Sequence, residues 1–409
     1  MSYKKTKYCK VRTVTTFLTL SKDKKTWEKE IQKACNFCKD LTKKFEAKNY
    51  EVQSIRIVTN AFGEYLDTSS LKNASKDLQS IKDIIDKISF DGLRIRFAIG
   101  EAKTYEEIAL LPELIRDYGD LCNACVNVPS NDLGILDNEL IEHCAIAVNR
   151  ISKITPRGEG NFNFTVNFNC EEFIPYFPAS YFNSSSKNSY VIGLETPDLL
   201  VKVLKNLAKK HSHVSHAEFF EEAYARMCEA LQYHVDELKT ILDTNTNDDF
   251  IFAGLDSSAA PSKNCSSMVK VYKLLGVKHF GISGSIEVSS LLTKVFKSIK
   301  NMPLLGFSGL MLAVIEDEGL AKDITNKKYD IRSLLANSAV CGIGLDTVPI
   351  PGDTPLGKIS ALMRDTGTLA FRLNKPLTVR LFPYPTLNAG DMTAYESDDL
   401  CNCAVLAVP

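Results

Sequence analysis

Apolar runs of strand length recur along the chain, with amphipathic stretches between them. "VRTVTTFLTL" (residues 11–20) precedes "TWEKEIQKACNFCKDLTKKFEAKNY", and "VQSIRIVTN" (52–60) precedes "SKDLQSIKDIIDKIS". The alternation continues through "LRIRFAIGE" (93–101), "LCNACVNV" (121–128) and further runs at 163–168, 190–195, 250–256, 279–283, 310–317, 340–346 and 377–383. Strands alternating with helices predict a parallel α/β architecture, because only a crossover joins parallel neighbours. Many of the runs read as apolar throughout, the pattern of strands covered on both faces. The longest helix is expected within 215–243, where Ser215 and Glu218 have capping-box spacing. The stretch 176–190, "YFPASYFNSSSKNSY", reads as a long polar loop insertion.

Three runs end alike: Gly193-Leu194-Glu195, Gly254-Leu255-Asp256 and Gly344-Leu345-Asp346. Two more end in acids, at Glu101 and at Glu316-Asp317-Glu318. In a parallel sheet or barrel all carboxyl ends share one edge, so these acids are expected to converge where α/β proteins bind ligands. An acid after a strand also serves as the N-cap of the next helix, which is the plain alternative at each position. Capping does not require the glycine two residues earlier; a glycine there permits close backbone approach by a strand or a ligand. Converging carboxylates repel unless a cation neutralises them, which predicts a hard divalent ion, Mg²⁺ or Ca²⁺, on oxygen ligands. The metal candidates are Glu195, Asp256, Glu316, Glu318 and Asp391. Asp346, Asp353 and Glu101 are candidates for acid–base catalysis. Pro349, Pro351 and Pro355 are expected to stiffen a loop that holds Asp346 and Asp353 near the strand ends.

Arginines inside apolar strands need an acid or an anionic ligand, which makes Arg12 and Arg380 candidates for substrate binding and Arg96 a third buried cation. Asn127 and Ser283 are added as polar groups at strand ends, the latter in "GISGS" (281–285), which lacks the lysine of a phosphate-binding P-loop. No nucleotide cofactor motif is found. His211, His213 and His216 are closely spaced, but beside a lysine-rich helix end they read as solvated cap residues more readily than as zinc ligands. Cys35/Cys38 and Cys122/Cys125 fall in a helix and a strand, without the turn a zinc knuckle needs.

Composition adds limits. With 409 residues, 44% hydrophobic, 24% charged and a formal charge of −1, the chain is that of a soluble globular protein with no bulk charge for nucleic acid. Its length fits two domains or one large barrel-type domain. No run approaches the roughly 20 apolar residues of a membrane helix, and the lysines at the start have no apolar run behind them. Twelve cysteines spread through a long chain favour reduced thiols, hence a cytoplasmic location and no membrane partner. The chain carries no interface signal such as a heptad repeat, and homo-oligomerisation is compatible with its size.

"RTVTTFLTL", "VNVPSNDLGI" (126–135), "AVIEDEG" (313–319), "GLDTVPIPGDTP" (344–355) and "AGDMT" (389–393) occur in the order found in the domain of unknown function 711 family, which this chain resembles from about residue 11 to about residue 400. The bacterial members carry no functional description. The resemblance implies a fold like that of pyruvate formate-lyase and anaerobic ribonucleotide reductase: one large α/β barrel of about ten strands, spanning 1–409. It does not imply radical chemistry, since Gly390 is followed by Asp391 in place of the aromatic of a glycyl radical loop. The loop at 176–190 and the abundance of Lys and Asn suggest a eukaryotic member. The function expected is an enzyme of hydrolase or lyase type acting on a small polar or anionic metabolite at a carboxylate-rich site; a non-catalytic metabolite sensor using the same pocket is the alternative.

Overall fold

The computed structural model describes residues 2–88, 94–209, 215–245 and 247–409. Its strands are β1 Lys10–Leu18, β2 Ile55–Thr59, β3 Ile95–Glu101, β4 Asn123–Val128, β5 Phe164–Phe168, β6 Ser189–Glu195, β7 Ile251–Asp256, β8 Gly344–Pro351 and β9 Leu377–Tyr384. They form one nine-stranded sheet in the order β7-β6-β1-β2-β3-β4-β5-β9-β8. β1 to β5 are mutually parallel, but β6 joins β1 antiparallel and β9 joins β5 antiparallel. β7 follows β6 and β8 follows β9 in parallel pairs. The sheet is therefore a central parallel block, β1 to β5, flanked on each side by a parallel pair running the opposite way. The single carboxyl edge expected for all the acids does not exist: Glu101, ending β3, lies at the opposite end of the sheet from Glu195 and Asp256, which end β6 and β7.

The sheet is not closed into a barrel by strand pairing. Its edge strands β7 and β8 are instead each met by one isolated bridge, Leu255 to Leu304 and Ala313 to Asp346. The run 310–317, expected as a strand, makes only that second bridge. In that bridge the Val314 N–H donates to the Asp346 carbonyl (3.0 Å), while beyond it the Ile315 carbonyl accepts from the Cys401 N–H (2.7 Å). Conversely, 344–351 is not a loop after a strand but the strand itself. It accommodates Pro349 and Pro351 because β8 is an edge, where a missing N–H breaks no central ladder.

Alternation along the strands explains the layering, since successive side chains face opposite ways. Val14, Leu18, Ile55, Ile57, Phe97, Ile99, Val166, Val379 and Leu381 join the main core beneath the helices. Helix Trp27–Glu46 contributes Trp27, Ile31, Ala34, Cys38, Leu41 and Phe45, spaced three or four residues apart, so that one face is buried. Helix His216–Leu242 begins with the expected capping box: Ser215 Oγ accepts from the Glu218 N–H, and the Glu218 carboxylate accepts in return. Between these apolar positions lie Thr13, Thr15, Arg56, Arg96, Asn123, Thr165, Asn167, Thr378 and Arg380, all buried on the other face. The strands are thus not apolar on both faces. One face packs on helices, and the other, enclosed, carries these polar side chains beside Phe17, Val58, Ala98 and Val191.

What encloses it is the connection between β5 and β6. The stretch expected as a polar loop divides: residues 176–182 are largely buried, residues 183–188 are the exposed polar part, and 189–190 already belong to β6. Phe177 and Phe182 pack on Phe17, Val58, Ala98 and Val191, while Tyr176 and Ala179 pack with Ala260, Phe307, Met311 and Ile343. The Phe177–Pro178 peptide is cis. The Pro175 carbonyl accepts from Thr15 Oγ1 (3.2 Å) and Arg56 Nη1 (3.1 Å), tying the plug to the sheet.

The three Gly-Leu-acid glycines each have a steric reason. A Cβ on Gly193 would stand 2.9 Å from the Tyr176 ring, one on Gly254 2.7 Å from the Pro303 carbonyl, and one on Gly344 2.5 Å from the Thr378 carbonyl. Gly344 also has φ +94°, a region that only glycine occupies without strain. Gly344→Ala is expected to destabilise by about 2 kcal/mol or more. Urea unfolding checks this, and a change within about 0.5 kcal/mol, typical of an exposed surface site, would contradict it.

Candidate functional site

The polar face of the sheet and the plug enclose a cavity of about 50 Å³, lined among others by Arg12, Arg56, Thr165, Tyr176, Glu316, Asp346, Thr378 and Arg380. Arg12 enters it at a bulge in β1, between Val11 and Thr13. Arg56 and Arg380 are inward-facing members of the alternation in β2 and β9. Glu316 sits just beyond the bridge at Ala313, and Asp346 is the third residue of β8. Four residues singled out from the sequence (Arg12, Glu316, Asp346 and Arg380) thus meet in one place.

Their pairing is uneven. Arg380 donates through Nε to Asp346 Oδ1 (2.7 Å) and through Nη2 to Glu316 Oε1 (2.5 Å). Its guanidinium also lies 5.0 Å from the centre of the Phe162 ring. Burial pulls the Arg380 pKa down, but the two carboxylates outweigh it and hold it above the ordinary value. Glu316 is pushed up by burial, against Arg380 and with Asp346. Arg12 donates to Gln53 Oε1 (3.0 Å) and lies 3.8 Å from Glu195. Arg96 pairs with Asp399 at the start of β3.

Arg56 is different. It is 5% exposed, and among the described residues no carboxylate comes within ion-pair distance of it. Its Nε is buried without a hydrogen-bond partner. Burial first, and then Arg96 and Arg12, drive its pKa well below the ordinary value. A guanidinium keeps its proton in proteins, so this environment is expressed as a charge held at a cost in stability. Arg56 was not read from the sequence as a site residue. The available signal was the alternation in "IRIVT", which matches that of Arg96 in "IRFA"; in the parallel ladder Arg56 stands directly beside Arg96.

The remaining candidates lie elsewhere. Glu195 is buried and accepts from Gln53 Nε2 (2.9 Å) and Ser262 Oγ (2.7 Å). Asp256 accepts the N–H groups of Ser258, Phe307 and Ser308 at 2.8–3.1 Å, clamping the loop after Pro303. Burial raises its pKa to about 6 against those donors. Asp317, between the two glutamates, caps helix Glu318–Thr325 through the N–H groups of Gly319 and Leu320, which is the plain alternative for a strand-end acid. Glu318, Asp353, Asp391 and Ser283 are exposed; Asp391 accepts the Asn388 N–H (2.8 Å). Glu101 and Asn127 share a separate cleft of about 420 Å³ with Lys103 and Tyr105 at the ends of β3 and β4. There burial raises the Glu101 pKa, with Asn127 and Lys103 opposing. His211 and His213 lie outside the described residues, and the exposed His216 meets Glu287 (3.3 Å).

Among the described residues no three His, Cys, Asp or Glu side chains gather around one point in a way that could hold a metal ion. The five metal candidates are dispersed: Glu316 is committed to an arginine, Asp256 to backbone, and two are exposed. EDTA or added Mg²⁺ is accordingly expected to leave the thermal unfolding midpoint unchanged, since an ion shifts it only by binding the folded state; a saturable Mg²⁺-dependent rise would contradict this. All twelve cysteines are free thiols. No helix among the described residues is long and apolar enough to cross a membrane.

Curated relatives of the chain are named as UPF0210 proteins. A UPF0210 protein of Clostridium perfringens is 26% identical over 293 residues, covering 70% of this chain and 63% of its own length. One from Neisseria meningitidis serogroup B is 24% identical over 295 residues, with 70% and 63% covered. One from the archaeon Pyrobaculum aerophilum is 28% identical over 237 residues, with 56% and 50% covered. The chain thus spans less than two thirds of the length of these relatives. A family model matches residues 4–396, from ahead of β1 to beyond β9, and the chain belongs to the family described as Uncharacterised ACR (DUF711).

Proposed function

We propose that the cavity binds a small anionic metabolite at Arg56, and that the protein acts on it as an enzyme of lyase or hydrolase type with Asp346 as the proton-transfer group. The observation that carries the reading is the Arg56 guanidinium, buried and without a carboxylate. Of the three guanidiniums lining the cavity, Arg12 lies near Glu195 and Arg380 holds Glu316 and Asp346, so Arg56 is the one that meets no carboxylate among the described residues and is left for an anion. Such an anion gains charge-assisted hydrogen bonds in a region of low dielectric, where they are strongest.

The space limits the ligand. A water needs about 10–15 Å³ on this measure, so about 50 Å³ accommodates roughly three to five non-hydrogen atoms. On this reading residues 304–313, which touch both edges of the sheet, complete a barrel-like wall around the cavity. The free thiols favour a reducing compartment such as the cytoplasm.

Support for an enzyme comes from Asp346, whose Oδ1 is held by Arg380 while Oδ2 has no partner; an oriented carboxylate with a free oxygen is suited to proton abstraction. A metabolite sensor is the second reading. It is favoured by a lining that contains no Ser, Cys, Lys or His, and so offers little beyond proton transfer.

Thermal unfolding tests the binding step, in buffers of matched ionic strength with acetate or phosphate replacing chloride. A saturable rise of the midpoint is expected, corresponding to about 2.7 kcal/mol at a hundredfold excess over Kd. Indistinguishable midpoints across all the anions would count against the site. Proton NMR of bound acids then separates the readings, because an enzyme consumes one of them and a sensor none.

A further inference from the structure

The cavity leaves two buried polar atoms without a partner, and they are of opposite kind: Arg56 Nε is a donor and Asp346 Oδ2 an acceptor. Both side chains are more than nine-tenths buried, at 5% and 3% exposed, and both line the cavity. A buried donor and a buried acceptor left unmade each carry a desolvation penalty. A simple carboxylate such as acetate satisfies the first and not the second. It also brings acceptor oxygens towards a carboxylate that has nothing to donate.

The threonines point the same way. Thr165 Oγ1 donates to the Val379 carbonyl (3.1 Å) and Thr378 Oγ1 to the Ile343 carbonyl (3.1 Å). Their protons are spent, so towards a ligand they are acceptors. Apart from the arginines, then, these polar groups ask the ligand for hydrogens.

We propose that the ligand is a small hydroxy acid, whose carboxylate is taken by Arg56 and whose hydroxyl donates to Asp346 Oδ2. The inference rests on the anion-binding reading above and narrows it. Charge decides between a hydroxyl and an ammonium as the donor. Around Arg56 the like charges of Arg96 and Arg12 outweigh that of Glu316, so this end of the cavity favours a ligand of net charge −1, which a hydroxy acid has and a zwitterionic amino acid does not. Volume agrees, since two-carbon hydroxy acids have five non-hydrogen atoms.

Calorimetric titration of the full chain with glycolate, acetate and glycine tests the assignment. Glycolate should bind about tenfold more tightly than acetate or better, because only its hydroxyl pairs with the charged acceptor. Glycine should bind more weakly than glycolate, and Arg56→Met should abolish binding of both acids. Equal affinities for glycolate and acetate, or a preference for glycine, would overturn the hydroxy-acid assignment while leaving an anion site in place. Binding of neither glycolate nor acetate, or binding that survives Arg56→Met, would remove the anion site itself and the assignment with it. The comparison of probes uses the native protein, so it does not depend on how well the variant folds.

Discussion

Arg56→Met is expected to make the protein more stable and unable to bind its ligand. In anion-free buffer the substitution should raise the unfolding free energy by on the order of 2 kcal/mol, since it replaces a buried charge by a side chain of similar length and no polarity. Arg56 has little to lose by its removal: one hydrogen bond to the Pro175 carbonyl and its contacts with the Tyr176 and Phe177 rings. Its neighbours Arg96 and Arg12 are like-charged, so removing it also relieves repulsion. A stabilising substitution that destroys binding is the signature of a residue kept for function. Chemical denaturation paired with calorimetry measures both parts. Loss of stability by more than about 2 kcal/mol would mean that Arg56 is a structural strut whose partner has been overlooked.

Arg380→Met should do the reverse. Two buried carboxylates, Glu316 and Asp346, depend on this one guanidinium at 2.5 and 2.7 Å. Breaking a buried pair by removing one partner typically costs about 3–5 kcal/mol. The loss should depend on pH in a fixed direction. Burial already holds the Glu316 pKa above its ordinary value with Arg380 opposing; without Arg380 it rises further, so the penalty is greatest at neutral pH and shrinks as the pH falls through that raised value and Glu316 takes up a proton. Denaturation of the variant and the parent at neutral and mildly acidic pH checks this. A loss below about 1 kcal/mol, the range of an exposed pair, would contradict the account. Two arginines equally deep in one cavity are thus predicted to act on stability with opposite signs, and the difference is whether a carboxylate faces them.

The local pattern carried the elements well and their directions poorly. Helix His216–Leu242 was legible because its capping box and its periodicity lie within one short window. The direction of β6 relative to β1 was not, because nothing within either strand records which way its partner runs; it is set by the connection between β5 and β6, which folds back as a plug instead of crossing over as a helix. That single turn of topology puts Glu101, an acid–base candidate, at the opposite end of the sheet from Glu195 and Asp256, two of the metal candidates. The segment 344–351 was misread for a related reason. Its prolines argue against a central strand, and whether a strand is central or an edge is a property of the whole sheet.

The site was half legible. Arg12 and Arg380 stood out as charges in apolar surroundings, and Asp346 by the repeated Gly-Leu-acid ending. That ending turned out to reflect three unrelated close approaches, by the Tyr176 ring and the carbonyls of Pro303 and Thr378. Arg56 is hidden in "VQSIRIVTN", which reads as one apolar run, although its period-two pattern places Arg56 on the face opposite Ile55 and Ile57. No local signal marks that Arg96 meets Asp399 while Arg56 meets no carboxylate among the described residues, since the partner lies about three hundred residues away in the chain.

The central claim is that Arg56 holds an anion inside the sheet. Crystals grown without carboxylates and soaked in glycolate test it most directly. The account predicts density for a molecule of about five atoms, with a carboxylate within hydrogen-bond reach of Arg56 and its hydroxyl on Asp346. A cavity that holds water alone after the soak, with Arg56 turned to a protein carboxylate, would contradict it.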